Sequence, residues 1–134
     1  MPKDYVNQLS LFPYLLHCLS QIVAASGGKS IYISGQTAWD AHKQIIGRTD
    51  LAQHSRQALP NVEAAVEAVE GTLVDVVALR IYIVNYRPDQ APAIGSALRE
   101  FFPEDKRPAS TWIEVRALAV KGFLIEIEAT AVLE

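Results

Sequence analysis

The segment that most constrains the fold of this chain is residues 123–133, because its side chains alternate strictly between two chemical classes. Period-two alternation places the two classes on opposite faces of a β-strand. Such a strand needs a sheet with one buried face and one partly wet face. The apolar set comprises Phe123, Ile125, Ile127, Ala129 and Ala131, and the other set comprises Leu124, Glu126, Glu128, Thr130 and Val132.

Two further segments have the same character. Residues 76–85 form an uninterrupted β-rich run that indicates a central strand, and residues 108–115 begin with a proline, which is tolerated at the first position of a strand. In the first run we assign Val77, Leu79, Ile81 and Ile83 to the core face and Arg80 and Tyr82 to the other. In the second we assign Thr111, Ile113 and Val115 to the core face and Ser110, Trp112 and Glu114 to a mixed polar and aromatic face.

A hairpin is predicted near the N-terminus. Residues 20–25 and 30–33 flank Ser26-Gly27-Gly28-Lys29, whose glycines permit a tight turn. The residues before it, 1–19, form an N-terminal arm with too many apolar side chains to remain in water, so we expect it to dock on its own domain or on a neighbour. Residues 20–134 are predicted to form a single domain.

Two helices are predicted. Residues 51–70 keep helical spacing of apolar side chains, with Thr49 or Asp50 as the N-cap and Gly71 as the stop signal. An interior proline removes a hydrogen bond and clashes with the preceding turn, so a kink or break is expected at Pro60. The second helix covers residues 91–102 and is closed by a following proline.

The element order is therefore β-β-α-β-α-β-β, an α+β fold with two helices packed on one face of a mixed sheet. The opposite face is too apolar for a wet surface and too charged for a core. An interface that encloses polar clefts would explain both properties, so we predict a symmetric oligomer. We assign to this face Arg80, Tyr82, Ser110, Trp112, Glu114, Arg116, Glu126 and Glu128.

Composition excludes several classes of protein. A net charge of −3 leaves no basic field for nucleic acid or anionic lipid. Without a run of 18 apolar residues, no membrane-spanning helix is expected. The single cysteine, Cys18, excludes an internal disulfide and favours a reducing, cytoplasmic location. The three histidines are too scattered to predict a metal site.

Six short stretches together resemble the Rid family, also called YjgF-like or L-PSP proteins or reactive intermediate deaminases. The similarity runs from about residue 20 to the C-terminus. The stretches are Ile33-Ser34-Gly35-Gln36, Gln53 with Gln57 and Asn61, Asp75-Val76-Val77, Phe101-Phe102, Pro108-Ala109 and Ile125-Glu126-Ile127-Glu128-Ala129.

The resemblance implies a chorismate-mutase-like fold and a homotrimer with ligand clefts between subunits. It also implies hydrolysis of reactive enamines and imines without a cofactor. The glutamate that handles the attacking water corresponds to Glu126, and Ser34 and Gly35 border the cleft. Trp112 takes a position that is usually small and would fill much of the pocket.

This chain departs from the family at positions that contact the ligand. Ser110 stands where the deaminases carry the arginine that grips the substrate carboxylate, and one neutral hydroxyl replaces two charge-assisted donors. Gly95 stands in place of an asparagine and Leu19 in place of a tyrosine. We therefore expect a less anionic or uncharged ligand and inefficient 2-aminoacrylate deamination.

Alternatives remain for each of these residues. The two glutamates at 126 and 128 are equally explained by cross-strand ion pairs with arginines, Trp112 by interface packing, and Gly35 by a bend at a strand end. At the level of the protein, the alternative is a non-catalytic ligand sensor or partner-binding module on the same scaffold. Endoribonuclease activity, which has been attached to some family members, fits the acidic charge poorly.

Overall fold

The computed structural model describes residues 3–8, 10–11, 18–40, 42 and 44–134. Three short 3₁₀ turns, Leu73–Asp75, Pro88–Gln90 and Glu104–Lys106, connect the longer elements. The longer elements, in chain order, are β1 Lys3–Val6, β2 Ile22–Ala25, β3 Lys29–Gln36, α1 Leu51–Glu67, β4 Val76–Val84, α2 Ala91–Phe101, β5 Ala109–Val115 and β6 Ile125–Leu133.

The main sheet has four strands in the order β3-β6-β4-β5. β4 and β5 are parallel because α2 carries the chain back between them, while β6 pairs antiparallel with both β3 and β4. The sheet is thus mixed, and the predicted α+β, chorismate-mutase-like fold is confirmed. A core of buried residues fills the space between one sheet face and the two helices, with Leu59, Ile81, Ile94, Ile127 and Phe102 at most 2% exposed.

The strict alternation of β6 is confirmed. From Phe123 to Ala131 every second residue is buried, and the residues between them are only partly buried. In β4 the assignment needs one change, because a register shift between Val76 and Ala78 makes Val76 the buried residue in place of Val77. The remaining core positions of β4 are as predicted.

The face assigned to β5 was wrong. In a parallel pair, residues opposite each other project to the same side. Ser110 lies opposite Leu79 and Trp112 opposite Ile81, both of which face the helices. Trp112 accordingly packs against the core, and Ile113 is 37% exposed on the open face. Alternation separated the two sets correctly, but on an edge strand it did not tell which set faces the helices.

The predicted hairpin between residues 20–25 and 30–33 was also wrong. β2 pairs antiparallel with β1 in a separate two-stranded sheet, and β3 pairs with β6. The ammonium group of Lys3 lies 3.4 Å from Asp75 at the start of β4, so the described start of the arm docks on its own domain. The apolar residues Leu9, Phe12, Tyr14, Leu15 and Leu16 and the imidazole of His17 lie outside the described residues.

Helix α1 begins where the sequence predicted. The carboxylate of Asp50 accepts hydrogen bonds from the backbone N–H groups of Ala52 (2.9 Å) and Gln53 (3.4 Å). The expected break at Pro60 is absent, since α1 is assigned continuously through it. Both Pro60 and Arg56, whose carbonyl loses its bond, are exposed, so water can satisfy that carbonyl. The helix ends at Glu67, and the Gly71 N–H donates to the Val66 carbonyl over 2.9 Å.

Candidate functional site

A bulge in β3 brings Gly35 against Glu126, while the neighbouring Ser34 is exposed. Ile33 lies opposite Ala129 and Gln36 opposite Ile127, so β3 advances three residues where β6 advances two. A Cβ built on Gly35 would lie 2.5 Å from Oε2 of Glu126, well inside contact distance. The glutamate side chain therefore lies directly over the backbone of residue 35, and only glycine leaves room for it there.

Helix α1 holds the loop that follows this bulge. The amide nitrogen of Asn61 donates to the Thr37 carbonyl over 2.9 Å and to the Trp39 carbonyl over 3.1 Å. Gln57 adds a hydrogen bond of 3.3 Å to the Trp39 carbonyl. Two of the helix residues that carried the family resemblance thus fix the backbone immediately after Ser34 and Gly35.

The two glutamates of β6 differ in their surroundings. The Tyr82 hydroxyl donates to Oε1 of Glu128 over 3.0 Å, and Nη1 of Arg80 lies 3.6 Å from the same oxygen. The hydrogen bond to Glu128 raises the pKa of Tyr82 above its usual value, so the phenol stays protonated. This confirms the Arg80–Glu128 cross-strand pair. Arg116 lies beyond the end of β5 and forms no ion pair with a described residue.

Glu126 has no such partners. Among the described residues no side chain or backbone N–H donates a hydrogen bond to its carboxylate, although Tyr82 lies opposite it in the register. It is partly exposed on the open face of the sheet. A carboxylate that is positioned by packing but not tied by hydrogen bonds can accept a proton from a bound water or substrate. The family resemblance singled out Glu126, but the alternation of β6 alone does not distinguish the two glutamates, because the difference in their surroundings arises from Tyr82 and Arg80 on β4.

Ser110 and Trp112 form the second group of predicted site residues. The indole N–H of Trp112 donates to the Ser110 hydroxyl oxygen over 3.1 Å. Both side chains project from β5 toward the helical layer and are partly buried. This neighbouring pair leaves the serine O–H as a donor to a ligand and provides no charge at this position.

The structure does not bring the two groups together within one chain. β4 lies between β6 and β5, so Glu126 and Ser110 are about 10 Å apart across the sheet, and Ser110 is also offset by three residues along β5. They also lie on opposite faces, with Glu126 on the open face and Ser110 on the helical side. A small molecule cannot contact both in a single copy of the chain.

The other positions at which the chain departs from the family are also occupied by apolar or small residues. Leu19 is 8% exposed, and Gly95 is buried in α2. Neither residue offers a side-chain hydrogen bond to a ligand, so polar contacts would have to come from other residues.

His54 has a structural place. It is fully buried, its Nε2 lies 2.7 Å from the Arg48 carbonyl, and the Leu124 N–H donates to its Nδ1 over 3.4 Å. Because a carbonyl can only accept, the proton is on Nε2. The spacing of the histidines in the sequence bears only on metal ligation and did not predict this burial. Within the described ranges no three histidine, cysteine or carboxylate side chains are grouped as metal ligands.

None of the helices in the described part of the chain is long and apolar enough to cross a bilayer.

Comparison with known proteins assigns this α+β architecture to a family. The family model described as Endoribonuclease L-PSP matches residues 13–133. The chain therefore belongs to the Rid or L-PSP family.

Three relatives illustrate the similarity. A 2-iminobutanoate/2-iminopropanoate deaminase of Dermatophagoides farinae is 32% identical over 133 residues, which is 99% of this chain and 98% of the relative. The solved structure of the Rid family protein YyfB of Yersinia pestis, described as a protein of unknown function, is 34% identical, with a TM-score of 0.94 over 99% of this chain and 100% of that one. Escherichia coli TdcF with bound serine is 26% identical, with a TM-score of 0.70 over 82% and 85% of the two chains.

Proposed function

We propose that this protein is a homotrimeric Rid protein that binds a small molecule in clefts between subunits and hydrolyses an imine or enamine through Glu126 and water. The observation that carries the proposal is the contrast between the two glutamates. Glu128 is held by Tyr82 and Arg80, whereas the Glu126 carboxylate rests on Gly35 with no hydrogen bond from the described residues.

The chemistry follows from that contrast. Hydrolysis of a C=N bond adds water to the carbon and expels the nitrogen as ammonia or an amine. A carboxylate accepts a proton from the attacking water and returns one to the leaving nitrogen. No metal or redox partner is required for that exchange of protons. The deaminase name of the Dermatophagoides relative and the serine bound to TdcF support a small amino-acid-like ligand.

The separation of the two groups of site residues supports a cleft between subunits. Glu126 and Gly35 on one copy, and Ser110 and Trp112 on another, can approach a common ligand only across an interface. The open sheet face is suited to that interface, because it presents Tyr32 at 80% exposure beside partly buried charged residues. Light scattering on a sizing column tests it, and a monomer would contradict both the trimer and the shared cleft.

The proposed substrate range excludes efficient 2-aminoacrylate deamination. Ser110 supplies one neutral hydroxyl, already paired with Trp112, where an arginine would supply two charge-assisted bonds. The missing arginine favours the second candidate, a non-catalytic ligand-binding or partner-binding module. The net charge of −3 does not support a nucleic-acid substrate despite the family's endoribonuclease name. The domain bounds 1–19 and 20–134 and the cytoplasmic location also stay predictions.

The decisive experiment compares two matched variants. Enamines and imines generated from neutral amines and from amino acids are offered to the wild type, to Glu126→Gln and to Glu128→Gln. We expect hydrolysis by the wild type, loss of at least about 100-fold in Glu126→Gln, and near-normal rates in Glu128→Gln. If the wild type hydrolyses none of these compounds, the enzymatic proposal is wrong and the non-catalytic binding module remains.

A further inference from the structure

A buried cation, Arg107, lies just before β5. It ends the connection between α2 and β5, and it is 8% exposed. Its Nε, fully shielded from solvent, has no hydrogen-bond partner in the part of the chain that the structure describes. A guanidinium remains charged at all physiological pH values, and a buried charge is costly unless it is paired. This buried guanidinium therefore favours binding of an anion that would balance its charge.

Arg99 carries a second guanidinium, which is exposed. It stands in the last turn of α2, and its Nη1 would lie 3.3 Å from a Cβ built on Gly95. Glycine inside a helix is unfavourable, but here its missing side chain leaves room for the guanidinium against the helix backbone. No carboxylate of the described residues lies within ion-pair distance of Arg99 or Arg107.

Backbone pairing places Cys18 beside Arg107. The Ser20 N–H donates to the Pro108 carbonyl over 3.2 Å, and Ser20 forms a parallel bridge with Ala109. Cys18 and Arg107 each lie two residues before this bridge, so they are neighbours across the two segments. The Cys18 thiol is 2% exposed.

The charges around the Cys18 thiol support this neighbourhood. Burial raises the pKa of Cys18 to about 11, and the positive charges of Arg99 and Arg107 both act to lower it. The thiol thus lies in a positive environment to which its backbone neighbour Arg107 and the more distant Arg99 of α2 both contribute.

We propose that Arg99 and Arg107 form a binding site for a small oxyanion, a carboxylate or a phosphate group, where the Cys18 segment meets the start of β5. Planar guanidinium groups bind such anions through paired N–H donors. Arg107 stands three residues before Ser110, about 10 Å along the strand. The chain therefore carries a candidate anion-binding group although Ser110 itself has no charge.

The test uses the full chain with pyruvate, its neutral amide pyruvamide, and inorganic phosphate as probes. Binding is measured by calorimetry. Ionisation of Cys18 is followed by thiolate absorbance, because an anion that neutralises the arginines should raise the pKa of the thiol. We expect pyruvate or phosphate to bind and pyruvamide not to bind. Arg99→Gln and Arg107→Gln should each weaken anion binding at least about tenfold, while Arg56→Gln, which removes an exposed pair with Glu100, should leave it unchanged.

Either anion supports the site if its binding depends on both arginines, and the tighter of the two distinguishes carboxylate from phosphate. Binding that survives in Arg99→Gln and Arg107→Gln overturns the proposal, as does the absence of binding by both anions at millimolar concentration. Should Arg107→Gln fail to fold, Arg99→Gln on the exposed end of α2 decides alone. The site stands apart from the proposed hydrolysis, because loss of anion binding with Glu126-dependent turnover intact would remove this site only.

Discussion

Replacing Gly35 by alanine should separate function from stability at the candidate site. The backbone of residue 35 is not in the left-handed region, so alanine fits it without strain. The new Cβ would lie 2.5 Å from Oε2 of Glu126, whereas ordinary contact begins near 3.4 Å. The carboxylate must therefore move by about 1 Å.

The effect of this displacement on stability should be much smaller than its effect on turnover. Because Cγ and Cδ of Glu126 also lie too close to the new Cβ, the whole glutamate side chain must shift from its rotamer. That shift costs about 1 kcal/mol, and the loss of glycine freedom in the unfolded chain offsets part of it. The melting temperature should hence change little. A displacement of 1 Å in a reacting group lowers turnover by about 100-fold. We expect Gly35→Ala to be folded, of unchanged oligomeric state and nearly inactive.

A double-variant cycle tests whether Glu126 carries the effect. If the alanine acts by displacing this carboxylate, then Gly35→Ala combined with Glu126→Gln should be no slower than Glu126→Gln alone. Full activity of Gly35→Ala would refute the reasoning. A further loss in the double variant would show that residue 35 acts independently of Glu126.

Three other predictions concern His54, Cys18 and Ser110. His54→Ala should lower the free energy of unfolding, measured in urea, by about 3 kcal/mol, because it opens a cavity and leaves the Arg48 carbonyl and the Leu124 N–H unpaired. The matched control is His42→Ala at an exposed position, and equal stabilities of the two variants would contradict the role of His54. The pKa of Cys18 is raised from 9.0 to about 11, so the contribution of the thiol to stability is complete below pH 9 and falls as the pH rises toward 11. The wild type should therefore lose more stability between pH 9 and 11 than Cys18→Ala, and parallel curves of stability against pH would argue against the raised pKa. Ser110→Arg should accelerate 2-aminoacrylate hydrolysis at least about tenfold, and a wild type that already matches an arginine-bearing deaminase would show that the missing arginine is not limiting.

The fold was predictable where one side of a strand is completely buried. β6 and β4 lie at the centre of the sheet, and their alternation reports burial directly. β5 is an edge strand, and both of its faces carry partly buried residues. Alternation could separate Trp112 from Ile113 there, but the identity of the core face depends on the parallel register with β4, which is a tertiary property.

The N-terminal error has a different cause. A turn cluster such as Ser26-Gly27-Gly28-Lys29 permits a hairpin but does not require one. β3 pairs with β6, and β2 pairs with β1. β1 is a strand of four residues in an arm whose sequence has no clear hydrophobic periodicity. Pairing between segments that are distant in sequence cannot be deduced from local turn residues.

The candidate site was predictable in its composition and not in its geometry. Resemblance identified Ser34, Gly35, Glu126, Ser110 and Trp112, but only the structure shows that they form two groups on opposite faces. The buried Arg107 had no sequence signal, since arginine before a proline reads as an ordinary loop residue.

Mixing two variants tests the shared cleft most directly. Glu126→Gln removes the carboxylate, and Ser110→Leu blocks the β5 position, so each variant alone should be inactive. If the cleft combines these groups from neighbouring copies, refolding the two together in equal amounts restores intact sites at about a quarter of the interfaces of a trimer. The account predicts recovered hydrolysis near that fraction of the wild-type rate. No recovery from a folded, mixed oligomer, or full activity of Ser110→Leu alone, would contradict it.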